Sequence, residues 1–269
     1  MWKVEFKTSH LKLKTLERPL ILITNDDGYA SKGIRELIKM VQPIGNVLVV
    51  APAEGQSGKS HAVSIGSFVR MKKLQDDANL TIYSVTGTPV DCLKMALGNI
   101  LTRKPDLLIS GINHGSNSSV NAFYSGTMGA AREGAFNGIP SIGLSLCDYD
   151  ADADFSVVIK HSEPMIKKVL SENKNPNLCL NVNFPKVTES EFKGLRICRQ
   201  AQGVWKESFV ENTDPYGGKI YWLTGNFENA EPNAADTDEW ALSNNYAPVV
   251  PMNLDSTDFA ELQNINYLI

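Results

Sequence analysis

The stretch Leu20-Ile21-Leu22-Ile23-Thr24-Asn25-Asp26-Asp27-Gly28 decides how the rest of the chain is read. A short, unbroken aliphatic run bounded by turn residues reads as a strand buried on both faces, the kind found in parallel sheets. Asp26 and Asp27 then stand at its carboxyl end. In open α/β sheets ligands bind at that end, because the loops leaving the strands form a crevice there. Two neighbouring carboxylates repel unless a cation lies beside them, so the pair points to a metal site. The competing reading is a helix cap, in which an Asp accepts backbone N–H bonds ahead of a helix between residues 28 and 41. These nine residues leave both readings open.

Moving outward, Ile34, Leu37, Ile38 and Val41 fall at helical spacing, and Pro43 and Gly45 end the helix they predict. Residues 47–50 read as a second buried strand, followed by a loop through residues 51–61. Together these make a βαβ unit with parallel neighbouring strands. Residues 63–85 break the rhythm. Ser64-Ile65-Gly66 and residues 80–85 alternate as strands do, which predicts an inserted hairpin. Thr88 caps a helix with Pro89 at its first position and Asp91 in its first turn, running to about residue 101. Residues 106–111 read as a third buried strand, leading into a long polar loop, residues 112–124, dense in amides. Residues 124–135 are small and open a helix whose unpaired N–H groups would receive an anion. A fourth strand at 141–146 and a helix at 155–170, bent or restarted at Pro164, follow. After residue 178 the texture changes to short strands at 178–182, 195–198 and 219–223, and an exposed loop at 226–238.

The fold class is therefore α/β: a Rossmann-like three-layer sandwich with a mainly parallel sheet and a C-terminal β-rich arm used in oligomerisation. Residues 1–18 read as an N-terminal extension or added edge strand, 19–177 as the catalytic core, and 178–269 as C-terminal strands and an arm packed on that core. The 269-residue chain is 42% apolar and 21% charged with mean hydropathy −0.18, ordinary values for a globular protein. A net charge of −4 argues against a protein that grips a nucleic-acid polymer through many phosphates. No run is long enough to cross a bilayer, and the N-terminus has no signal-peptide core, so no membrane partner is expected. Cys92, Cys147, Cys179 and Cys198 are dispersed with no Cys-x-x-Cys pair, and they read as reduced, buried thiols suited to the cytoplasm.

Successive strand ends now present one kind of chemistry: Asp26 and Asp27 after the first, Ser57 after the second, Asn113 after the third. These are hard oxygen ligands suited to Mg²⁺, Mn²⁺ or Ca²⁺. Adding the helix start at Ser125-Gly126-Thr127 as a phosphate cradle gives metal-assisted phosphoryl transfer to water.

Asn25-Asp26-Asp27-Gly28, Ala51-Pro52 through Gln56-Ser57-Gly58, Gly87-Thr88-Pro89-Val90-Asp91-Cys92, Ser110-Gly111-Ile112-Asn113-His114-Gly115-Ser116-Asn117 and Tyr124-Ser125-Gly126-Thr127 resemble, in order and spacing, the SurE family of 5′/3′-nucleotidases. Tyr221-Trp222, Asp236-Thr237-Asp238 and Tyr246-Ala247-Pro248-Val249-Val250-Pro251-Met252 resemble the family's C-terminal pattern, so the resemblance runs from about residue 19 to near the end. It implies a phosphatase that hydrolyses nucleoside 5′- and 3′-monophosphates, with short polyphosphate as a further substrate. It also implies one divalent cation per subunit on Asp26, Asp27, Ser57 and Asn113. Asp26, Asp27 and Asn113 would be the catalytic residues, and Ser125, Gly126, Thr127 and Asn117 the substrate contacts. A homodimer or homotetramer that exchanges C-terminal elements is implied as well. Lys59-Ser60-His61, and Ser118-Ser119-Val120-Asn121 where relatives are often acidic, depart from the family pattern and bear on substrate preference.

In the mechanism these residues suggest, an in-line water attacks phosphorus while its proton goes to a free Asp oxygen or to a hydroxide at the cation, the sequence leaving both open. His114 is a candidate general acid, although a lone loop histidine is more often structural. A receiver-like Mg²⁺-binding signalling module is the first rival. It needs an acceptor Asp after the third strand and a Lys after the last, and the chain has Ser110-Gly111-Ile112-Asn113 and no such Lys. Phosphoaspartyl phosphatases want Asp-x-Asp, whereas Gly28 and Tyr29 follow Asp27. A non-catalytic nucleotide-binding protein has no need of two carboxylates near a phosphate.

Overall fold

In the computed structural model, which describes residues 18–268, the aliphatic run that opens the chain is the centre of the main sheet. The extension read at residues 1–18 lies, apart from Arg18, outside the described residues. Strand β1 (Leu20–Thr24) sends Ile21 and Ile23 to one face and Leu22 to the other, and all three are at most 1% exposed. Both faces being covered is why the run lacks polar alternation. Helix α1 (Lys32–Val41) buries Ile34, Leu37, Ile38 and Val41 against the first face, as their spacing predicts. Strand β2 (Asn46–Pro52) then returns parallel to β1.

The predicted hairpin is present as β3 (Met71–Asp77) and β4 (Leu80–Val85). Its second strand joins the parallel set beside β2. Ser64-Ile65-Gly66 forms no strand, because its polar atoms serve a turn in which Ser64 donates from N–H and hydroxyl to Asp91. Helix α2 (Pro89–Met95) carries the anticipated cap: the Asp91 N–H donates to the Thr88 hydroxyl, and the Thr88 N–H donates back to the Asp91 carboxylate. A π-helical turn, Ala96–Ile100, completes it.

Strand β5 (Leu107–His114) runs three residues past the expected end, so Asn113 and His114 belong to the strand rather than to a loop. A short turn of helix, α3 (Asn121–Tyr124), precedes α4 (Gly126–Phe136). Next come β6 (Ser141–Leu146), α5 (Ser156–Glu172), which continues through Pro164, and β7 (Cys179–Phe184). Helices α1 and α5 cover one face of the sheet, and α2 and α4 cover the other. This is the three-layer sandwich. Strand β8 (Leu195–Ile197) is followed by a hairpin of two eleven-residue strands, β9 (Gly203–Thr213) and β10 (Lys219–Asn229). The predicted loop at 226–238 therefore starts later, since its first residues continue β10. Helix α6 (Asp238–Ser243) and β11 (Ala247–Pro251) close the described fold before two short 3₁₀ turns.

The nine-stranded sheet has the order β3-β4-β2-β1-β5-β6-β7-β11-β8. Strands β4, β2, β1, β5, β6 and β7 are mutually parallel, whereas β3 and β11 pair antiparallel to their inner neighbours. From β1 the chain winds toward β2 and β4, and from β5 it winds the other way. The β1/β5 boundary is thus the topological switch point, where loops diverge and leave a crevice. Asp26 and Asp27 follow β1 there, and Asn113 is the penultimate residue of β5, next to its terminal His114. The β9–β10 hairpin pairs with no other strand among the described residues.

Candidate active site

At this switch point Asp26, Ser57 and Asn113 line one cleft of ≈ 340 Å³, together with His114, Asn117 and Ser125. Asp26 is 4% exposed. Its Oδ1 accepts a 2.6 Å bond from the Thr127 hydroxyl, and the nearby backbone N–H groups of Gly126 and Thr127 favour its charged form. The cap reading of the aspartates therefore holds for a different helix. The N-cap of α1 is Ser31, whose side chain makes no capping bond, whereas Asp26 meets the first turn of α4, some hundred residues onward. Gly126 is what lets that turn come so near: a Cβ there would lie 2.9 Å from the Asp26 Cβ and 3.1 Å from its Oδ2. Burial pushes the Asp26 carboxyl up, and these hydrogen bonds only partly offset it.

Asp27 is half-buried beside it, with Oδ2 accepting the His114 N–H at 3.0 Å. Burial first, and then the Asp26 charge, raise its carboxyl to about 6, with the His114 contacts pulling the other way. Two acids at the mouth of one strand thus both resist ionisation. Asn113, 8% exposed, donates its amide N–H to the Gly115 carbonyl at 2.8 Å, which leaves its side-chain oxygen as an acceptor. Ser57 is exposed on a loop that is firmly tied down: the Gln56 N–H donates to the Asp26 carbonyl at 2.6 Å, and Ser60 donates to the Tyr124 and Phe123 carbonyls. Further along, His61 shares the Glu133 carboxylate with Lys94. Burial opposes ionisation of Glu133, but the bonds from Lys94 and His61 win and its carboxyl is lowered.

The residues expected to cradle a phosphate, Ser125, Gly126 and Thr127, open α4 directly against Asp26. Thr127 is fully buried and its hydroxyl donates to Asp26, so the protein's own carboxylate stands at this helix start. The Ser125 hydroxyl caps α4 by accepting from the Met128 N–H, yet Ser125 still forms part of the cleft wall. Asn117 also faces the cleft, but its amide donates to Ser145. His114 sits against Phe155, rings 5.1 Å apart at 82°, and its Nδ1 bonds the Asp150 carbonyl, so Nδ1 carries the hydrogen.

Sequence reasoning missed what braces this wall. Asn183 accepts the Asn117 N–H, Asn181 donates to the Asn117 carbonyl, and Asn183 donates to Asn181, all at 2.8–2.9 Å and all buried. Asp238, 0% exposed, accepts N–H bonds from Ser119, Ala201 and Glu239. The signal lay in Leu180-Asn181-Val182-Asn183, where amides alternate inside an otherwise apolar strand.

Among the described residues no group of three or more His, Cys, Asp or Glu is arranged to hold a metal. The donor set proposed here has two carboxylates and neutral oxygens from Ser57 and Asn113. The four cysteines are free, and burial raises Cys147 and Cys179 to about 12, so they are inert thiols. No helix is long and apolar enough to cross a membrane among the described residues.

A family model described as "Survival protein SurE" matches residues 21–207. A protein named 5'-nucleotidase SurE from Flavobacterium psychrophilum is 49% identical over 252 residues, covering 93% of this chain and 98% of the relative. One of the same name from Phocaeicola vulgatus is 46% identical, covering 93% of this chain and 98% of the relative. The crystal structure of the SurE protein from Aquifex aeolicus matches with a TM-score of 0.79 at 37% identity, covering 93% of this chain and 99% of that one.

Proposed function

The chain belongs to the survival protein SurE family, and from that membership we propose that it is a 5′-nucleotidase, hydrolysing nucleoside monophosphates to nucleoside and phosphate. The observation that carries this reading is the convergence of Asp26, Ser57 and Asn113 on one cleft at the switch point, with Asp27 beside Asp26.

The residues fit a divalent cation. Two adjacent carboxyls, both raised by burial and Asp27 also by its neighbour's charge, lack a cationic partner in the hydrogen bonds described above. Asn113 directs its N–H away and keeps an oxygen available. Asp26, Asp27, Ser57 and Asn113 would hold one ion per chain, Mg²⁺ or Mn²⁺, with Ca²⁺ also suited to oxygen donors. When bound, the ion supplies Lewis-acid withdrawal of charge from the phosphoryl group.

The chain's own residues position the rest. Ser125, Gly126, Thr127 and Asn117 contact the substrate phosphate from the cleft wall and the start of α4, where the Thr127 hydroxyl also holds the Asp26 carboxylate. The His114 N–H fixes one Asp27 oxygen, and an aspartate oxygen not engaged with the ion accepts the proton of the attacking water. We extend the proposal to 3′-monophosphates and short polyphosphate, to a cytoplasmic location, and to a homodimer or homotetramer joined through the β9–β10 arm. That arm exposes Phe209, Tyr221 and Trp222, each more than half exposed, and an isolated two-stranded hairpin is marginal in water.

Phosphate release from 5′- and 3′-nucleotides, simple monoesters and polyphosphate, after chelation and again with Mg²⁺ or Mn²⁺ restored, tests the reading. Cation-dependent release from nucleotides is expected. Full activity after exhaustive chelation, or no release from any nucleotide, would contradict it.

A further inference from the structure

Beside the cleft lies a second concavity of ≈ 430 Å³, between the root of the β9–β10 hairpin and the loop that follows β5. It shares Gly58, Asn121 and Tyr124 with the cleft, so the two are continuous. Its far wall is Trp205, Leu223 and Thr224, with Glu207 at its rim. The chemistry of the two spaces differs. The cleft is lined by the Asp26 carboxylate with amides, hydroxyls and the rings of Tyr124 and Tyr149, whereas the groove adds the Trp205 indole and the Leu223 side chain beside Tyr124.

Trp205 is held rather than loose. Its Nε1–H donates to the Asn121 Oδ1 at 2.7 Å, and its ring meets Phe227 at 6.0 Å and 62°. Asn121 opens α3, and the Tyr124 carbonyl at the end of α3 accepts the Ser60 N–H from the Ser57 loop. One short helical turn therefore links the aromatic wall to both loops of the cleft.

We propose that this groove binds the nucleoside half of the substrate, with Trp205 as the face on which the base stacks; the inference rests on the nucleotidase reading given above. A phosphate seated in the cleft leaves its ester oxygen and sugar to exit on an open side. The adjoining groove has the size of a small-ligand site and aromatic walls that accept any nucleobase. Thr224 and Glu207 supply partners for ribose hydroxyls. The Glu207 carboxylate also disfavours a second phosphate on the sugar.

The test compares kcat/KM for 5′-AMP with that for glycerol 2-phosphate, which has the phosphate but no nucleoside. In Trp205→Ala the ratio of the two should fall by about tenfold or more, through KM for AMP, as expected for a lost stacking face. Trp205→Phe, which keeps an aromatic face and loses the bond to Asn121, should retain most of the ratio. Thr224→Arg, which fills the groove, should reproduce the loss. An unchanged ratio in Trp205→Ala, or both substrates falling in parallel, would overturn the proposal. A second readout needs no turnover: adenosine added to the chelator-treated protein should quench tryptophan emission in the wild type and much less in Trp205→Phe. Equal quenching in both would also overturn it. A wild type that binds adenosine in this way yet hydrolyses neither ester would instead refute the nucleotidase reading and leave the groove standing.

Discussion

The β1/β5 switch point and the β9–β10 arm are opposite kinds of structure on one chain. Around Asp26 the packing is tight: Thr127 has no exposure, Gly126 has no room for a Cβ, and the Gln56 N–H is bonded to the Asp26 carbonyl. Along the arm, Phe209 is 68% and Tyr221 55% exposed, and among the described residues the strands pair only with each other. The difference teaches where precision and adaptability are placed. Oxygens that must be held within fractions of an ångström sit in a close-packed junction, and the hairpin, left without a core, keeps its apolar side chains free for the contacts proposed for it. Asp238 connects the two, because it holds the Ser119 N–H of the cleft loop and the Ala201 N–H at the foot of the arm.

Substitutions can break this contrast at graded points. The largest effect belongs to Asp26→Asn and Asp27→Asn, which should each lower kcat/KM for nucleotides by roughly a thousandfold, the loss of several kcal/mol of charge stabilisation. Far-UV circular dichroism should show the fold intact, since a neutral amide suits sites where burial already disfavours charge. Gly126→Ala comes next. Its methyl would sit 2.9 Å from the Asp26 Cβ, so overpacking should destabilise the protein by about 1–3 kcal/mol and displace the carboxylate, lowering kcat by roughly a hundredfold. Denaturant midpoints and turnover measured on the same preparation separate the two consequences.

Asp238→Ala acts on the link. It strands the buried N–H groups of Ser119 and Ala201, each at about 1–3 kcal/mol, and should lower the melting temperature with a smaller loss of activity than Gly126→Ala. The smallest effect is expected on the arm. Phe209→Ser should change the stability of the isolated chain by no more than about 0.5 kcal/mol while lowering the assembly mass seen by light scattering. A large drop in chain stability with unchanged mass would mean that the arm serves its own subunit's core.

What was legible in the sequence follows from the same contrast. Strands β1, β2 and β5 are covered on both faces, so they carry apolar runs whose ends lead to Asp26, Ser57 and Asn113. Residues 203–213 gave no signal as β9, because Gly203-Val204-Trp205-Lys206-Glu207 lies on an open hairpin where nothing enforces a buried face. Asp26 was legible as a ligand or a cap, but not as the cap of α4, since that partner is brought near only by the sheet order. The Asn181 and Asn183 ladder was equally hidden, because a buried amide is recognised only by what it bonds across strands.

Manganese binding to the chelated protein, followed by electron paramagnetic resonance, reports whether Asp26 and Asp27 share one cation. The account predicts one Mn²⁺ per wild-type chain, with binding strongly weakened in both Asp26→Asn and Asp27→Asn. Undiminished Mn²⁺ binding in either variant would contradict the assignment of the aspartate pair as half of the metal shell.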